Sequence, residues 1–213
     1  MELSSSKDSA TDSPIPGKAR KGQTHEKILE SCSKLLRKKG IQAASVADVM
    51  QDAGLTVGGF YAHFDSKEAM VAEGFRHAVR QTQDNRRSAL PPGLGAGPKL
   101  QAFLKGYLSP QHRDKDREGQ GCPLAALAVE MGRGTPALRK VFAEECQKVA
   151  FESTNLFSDE TLRLGRKEFL GMLSTYVGGL ILARATRGSL ISEEILAACR
   201  GALATSRGEE SHS

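Results

Sequence analysis

Thr56, Tyr61, His63 and Lys67 stand close together in the run TVGGFYAHFDSK, and each can donate a hydrogen bond to a phosphate oxygen. Lys67 belongs to the first turn of a helix that Asp65 or Ser66 can cap. A cation there opposes the helix dipole, so the placement is favourable only if an anion lies nearby, the alternative being a solvated lysine. The four residues are predicted to form a phosphate clamp. Ser45 and Val46, at the start of the preceding helix, complete the polar and apolar edge expected to face DNA.

Two helices must position this clamp. Ser45 and Asp48 have capping-box spacing, and Val46, Val49, Met50 and Ala53 repeat on one helical face. Gly54 supplies a left-handed residue to end that helix. Thr56 is placed to cap a second helix, whose Phe60 and Phe64 return to the core with Leu55. Two helices around a glycine turn are either a plain αα-corner or a helix-turn-helix unit, whose second helix enters the major groove. That second helix begins TVGG, without the Arg, Gln or Asn that make the common bidentate base contacts. Gly58 and Gly59 each cost about 1 kcal/mol relative to alanine in a helix. The compensation expected is close approach of the backbone to the groove floor, with Val57 against a thymine methyl and duplex shape supplying discrimination.

Upstream, Thr24 is predicted to cap a helix with an apolar stripe of Ile28, Leu29, Cys32, Leu35 and Leu36, which Gly40 ends. Lys18, Arg20 and Lys21 form an arm toward the phosphate backbone or a minor groove, the alternative being a solvated tail. Residues 1–40 hold nine Lys or Arg against five Asp or Glu, an excess of four within a net charge of +5. Basic charge therefore concentrates beside the candidate interface.

The rest of the chain keeps a helical rhythm. A helix with Met70, Val71, Phe75 and Val79 should run to near Ser88, before Pro91 and Pro92. PGLGAGPK lacks the ending of a phosphate loop and reads as a flexible connection, and Gln111–Gln120 as a charged loop. Pro123 suits the first turn of a helix, and Thr135 with Pro136 caps another. The apolar run from Glu168 to Thr186 is too interrupted for membrane insertion and reads as an interior or interface helix. Gly171, Ser174 and Gly178 form a small-residue row on it, and a last helix from Ser192 carries Ile195, Leu196, Cys199 and Leu203.

Several of these motifs together resemble the DNA-binding region of TetR/AcrR-family transcriptional regulators: KKG at Lys38 to Gly40, AASVADV from Ala43, AG at Ala53 and Gly54, YAHF at Tyr61 to Phe64, and SKE at Ser66 to Glu68. The close match covers about a fifth of the chain, and GCP at Gly121 recurs in part of the family. One departure is Met50, where many members carry alanine at the crossing of the two helices. The resemblance implies an all-α protein: an N-terminal three-helix DNA-binding domain with a helix-turn-helix (21–70), then a C-terminal helical ligand-binding and dimerisation domain (71–206). A leader (1–20) and a polar tail (207–213) flank them. It also implies a homodimer on a near-palindromic double-stranded operator, with Gly171, Ser174, Gly178, Ile195 and Cys199 in the dimer interface. A small-molecule effector would enter a cavity for which Tyr107, Cys122, Met131, Phe142, Met172 and Tyr176 are the wall candidates. The scarcity of charge on those faces suggests an apolar or electrophilic effector, and repression is the family's usual mode.

Other classes fit less well. Residues 1–17 have no apolar signal core, and no span suits a membrane. The four cysteines are too scattered for a zinc motif or a disulfide framework, which predicts reduced thiols in a cytoplasm, and no cofactor or metal is expected. An enzyme would need a nucleophile and base in convergence, which the spacing does not offer. A redox-switched regulator with Cys122 or Cys146 as sensor remains the alternative.

Overall fold

The computed structural model describes residues 16–205, and every regular element among them is helical. Residues 1–15 of the expected leader and the tail from 206 lie outside the described residues. Helix α1 (Pro16–Ala43) begins well before Thr24. The Thr24 hydroxyl donates to Arg20 O at 3.0 Å, so it bonds back within a helix instead of capping one. Lys18, Arg20 and Lys21 consequently belong to a helix and not to a loose arm. The stripe of α1 buries Ile28, Leu29, Cys32 and Leu36, as its spacing requires.

Gly40 breaks α1 with φ +81°. Beyond the break, the Ile41 and Gln42 N–H groups donate to the Glu130 carboxylate at 2.8 and 3.2 Å. A side chain far along the sequence thus satisfies the backbone donors that the break exposes. Helix α2 (Val46–Asp52) carries the complete capping box: Asp48 N–H to Ser45 Oγ at 3.0 Å, and Ser45 N–H to Asp48 Oδ2 at 3.2 Å. Gly54, at φ +69°, makes the turn. The second helix of the pair is a 3-10 helix, Val57–Ala62, a tighter form that suits a short run opening on two glycines.

Helix α3 (Lys67–Ala89) crosses α1 closely. A Cβ on Gly74 would lie 2.5 Å from Cys32 Sγ, so the crossing distance depends on glycine there. Helix α4 (Ala96–Tyr107) starts inside the glycine-rich run, where Asp159 accepts the Ala96 N–H at 2.6 Å. The run read as flexible is therefore half helix.

The charged segment expected to be a loop forms α5 (Pro110–Asp114) and a 3-10 helix, Lys115–Glu118. Arg113 is buried and bonds Ser192 Oγ at 2.8 Å and Glu193 Oε1 at 2.7 Å. Arg187 pairs with Asp116 at 2.7 Å. These links fasten the segment to the last helix and to the turn before it.

Helices α6 (Pro123–Arg133), α7 (Pro136–Leu156), α8 (Arg166–Ala185) and α9 (Leu190–Thr205) complete the described chain. The α8–α9 crossing repeats the device seen at α1–α3, since a Cβ on Gly179 would lie 2.5 Å from Cys199 Sγ. Among the described residues, no helix is long and apolar enough to cross a membrane.

Candidate nucleic-acid interface and internal cavity

Phe60 and Phe64 are buried with their rings 5.6 Å apart, and they anchor the 3-10 helix to the core. The opposite side is open. Val57 is 50% and Tyr61 77% exposed, Thr56 and Gly58 are exposed, and a Cβ on Gly58 would meet nothing within 4 Å. A Cβ on Gly59 would make only an ordinary contact with Met50 Cε, at 3.8 Å, so Met50 at the crossing does not itself demand glycine there.

Thr56 occupies the cap position but makes no capping hydrogen bond, which leaves its hydroxyl available. Ser66 caps α3 by accepting the Ala69 N–H at 3.0 Å. Lys67 follows it, half-buried, and pairs with no carboxylate among the described residues.

Three expected members of this face are placed differently. Val46 is half-buried against the core. Ser45 is half-buried, with its hydroxyl engaged in the cap. His63 is half-buried beside His25, the ring centres 5.7 Å apart, and its Nδ1 is enclosed without a partner. Burial, with His25 and Lys21 nearby, pulls its pKa below the usual value. Alternation along the sequence suggested an open His63 because it could not reveal His25 packed across from it.

The basic excess also divides. Lys34 pairs with Asp52 at 2.7 Å, and Lys39 with Asp48 at 2.8 Å. Lys39 and the Ser45 cap hold the Asp48 carboxyl at about 2. Arg20, Lys21 and Lys38 remain exposed.

A cavity of about 800 Å³ is lined by residues of α1, α3, α4, α5, α6, α7 and α8. Tyr107, Cys122 and Tyr176 line it. Met131 and Met172 are instead packed in the core, and Phe142 stacks on Phe75 at 5.4 Å, so these three are not on its wall. Periodicity marks a side chain as inward without saying which inward surfaces stay unfilled.

The cavity is also less apolar than the sequence suggested. Arg86, Gln83 and His112 line it with Phe103 and Leu124. The Arg86 guanidinium lies 5.1 Å from the Phe103 ring centre and 5.9 Å from that of Phe157. A signal for two of these residues was present, because Phe75, Val79, Gln83, Arg86 and Leu90 continue one stripe of α3.

Burial pushes the Cys32 thiol up to about 12 and Cys146 to about 11. Neither is a ready nucleophile for a redox switch.

Residues 28–73 match the model of the bacterial regulatory proteins of the tetR family. That segment, from Ile28 of α1 to the start of α3, is similar to the TetR family. The chain is 30% identical over 94 residues to the HTH-type transcriptional repressor KstR2 of Rhodococcus jostii, a match covering 44% of this chain and 46% of that one. The chain thus spans less than half the length of that relative. The HTH-type transcriptional regulator LmrA of Bacillus subtilis is 25% identical over 179 residues, covering 79% of this chain and 90% of its own. A TetR transcriptional regulator from Chloroflexus aurantiacus has the same fold, with a TM-score of 0.69 at 23% identity over 89% of this chain and 97% of that one. The matched segment includes α2 and the 3-10 helix, residues 46–62. The proteins the chain matches are transcriptional regulators, not enzymes.

Proposed function

We propose that the protein is a dimeric transcriptional repressor that holds a near-palindromic DNA operator and releases it when a small molecule fills the cavity. One observation carries the DNA part: the open surface of Thr56, Val57, Gly58 and Tyr61, backed by buried Phe60 and Phe64 and bordered by an unpaired Lys67. With no long polar side chain at its tip, the 3-10 helix reads the groove by backbone proximity and the Val57 methyls. Thr56, Tyr61 and Lys67 hold phosphates and set the register.

The geometry also supports a route for release. Glu30, Lys34 and Arg37 of α1 lie on the cavity wall, and Glu130 of α6 bonds the backbone just past the break in α1. A ligand that favours another arrangement of these helices shifts the DNA-binding domain, provided it binds the released state more tightly than the DNA-bound one. Repetition of the DNA surface by a two-fold partner fixes the operator symmetry.

Selection of bound duplexes from a random pool tests this reading. Enrichment of an inverted repeat, with affinity falling steeply as salt rises, is the expected result. Gly58→Glu should abolish binding to the selected duplex while leaving helicity and assembly unchanged, because it places a carboxylate against the phosphates. Failure to enrich any sequence, or normal binding by Gly58→Glu, would overturn it.

A further inference from the structure

We infer that the cavity receives an amphipathic organic acid, whose carboxylate is held by Arg86, Gln83 and Tyr107 while its hydrocarbon body lies along the apolar wall. The inference rests on the reading that this cavity is the effector site and adds the chemical class of the ligand.

The argument starts from unfilled donors. Arg86 Nε is enclosed without a hydrogen-bond partner, as is Gln83 Nε2, and both can only donate. The Tyr107 hydroxyl is likewise enclosed and unpartnered, with only the weakly bonding Cys122 thiol beside it. Gln83 is 8% and Tyr107 9% exposed, so little of either side chain meets bulk water. Buried polar groups in folded proteins are nearly always satisfied, and three unfilled donors on one cavity wall mark a place for a missing acceptor.

The three belong to one cluster. Gln83 and Arg86 are a turn apart on α3, Arg86 lies over Phe103, and Phe103 is 5.5 Å from the Tyr107 ring. Tyr176, 4.6 Å from Tyr107, sits against the same guanidinium.

Charge decides the sign of the ligand. No carboxylate among the described residues pairs with Arg86. The field of Glu152 reaches it, but Glu152 pairs with Arg87 at 3.7 Å. Burial pulls the guanidinium below its ordinary pKa, yet arginine keeps its proton in proteins. The other charges on the wall are engaged or exposed. Arg37 donates to Ser33 O and Gln81, Lys34 pairs with Asp52, and Glu30 bonds His77 and Gln81. Lys115 and Glu118 face solvent. One open positive charge selects one negative charge.

Size and wall chemistry decide the rest. A cavity of about 800 Å³ is far larger than an inorganic anion, and Val79, Leu90, Phe103, Leu124 and Val149 line it. They suit a hydrocarbon chain or ring.

Calorimetric titration of the full-length protein with hexanoate, decanoate and phenylbutyrate, each against its own neutral amide, tests the assignment. At least one acid should bind on the order of 10- to 100-fold more tightly than its amide. Arg86→Met should erase that preference, and Arg86→Lys should keep part of it. Gln83→Leu gives a second reading at a neutral group and should weaken the acid without changing its amide.

Equal binding of every acid and its amide, or an acid preference that survives both Arg86→Met and Gln83→Leu, would overturn the inference. DNA release is measured separately with the same compounds. Acid-selective binding that leaves the operator complex intact overturns the effector reading and not the ligand class. Release by the amides as readily as by the acids does the reverse.

Discussion

His112 carries a pH limit that its neighbours impose. Its Nδ1 lies 2.8 Å from Tyr107 O, so Nδ1–H donates to that carbonyl, and its ring centre is 4.5 Å from that of Tyr107. Burial drags its pKa from 6.5 down to about 4, the Tyr107 carbonyl opposes that shift, and Arg184 and Lys115 add to it. The unfolded chain therefore takes up a proton that the folded one refuses. Stability from this group is complete above about pH 6.5 and drains away as pH falls toward about 4, reaching on the order of 3 kcal/mol. Denaturant unfolding across that range should show a steeper loss in the parent than in His112→Gln; parallel curves would remove the histidine from the account. At this scale the sequence was partly readable. Thr56, Val57, Gly58 and Tyr61 stand open where the motif put them, whereas His63 and Val46 face neighbours that only the folded chain supplies.

Elements were legible wherever a local signal sufficed. The Ser45–Asp48 box, the Thr135 and Ser66 caps and the prolines at Pro123 and Pro136 all start helices where their chemistry says they should. α5 was hidden because its stability is not local. Arg113 is held by Ser192 and Glu193 on α9, so a segment that reads as loop becomes helix only once a distant helix is in place. Thr24 misled for the opposite reason: a good capping residue sits mid-helix when the chain before it is also helical. The α1 break tests the same logic. Glu130→Ala strands the Ile41 and Gln42 N–H groups, which should cost about 1–3 kcal/mol in urea unfolding. Glu130→Gln keeps an acceptor there and should recover much of that loss. If both variants unfold like the parent, the carboxylate is not what secures the break.

For the whole molecule, the proposed dimer places its seam on the outward side of α8. Leu170, Gly171, Ser174 and Leu182 are exposed along it, and a Cβ on Gly171 or Gly178 would meet nothing within 4 Å. Cys199, expected on the same interface, packs against Gly179 of α8, and both it and Ile195 are half-buried within the protomer. Gly178→Arg should therefore give a folded monomer in analytical ultracentrifugation, with operator affinity reduced at least tenfold because two half-sites are no longer held together. A dimer that persists would move the seam elsewhere. Cys32, fully enclosed against Gly74 where α1 meets α3, also makes the protein its own stopwatch. A thiol reagent can reach that sulfur only when the two helices part, so its rate of alkylation, with and without DNA or ligand, counts how often α1 and α3 separate.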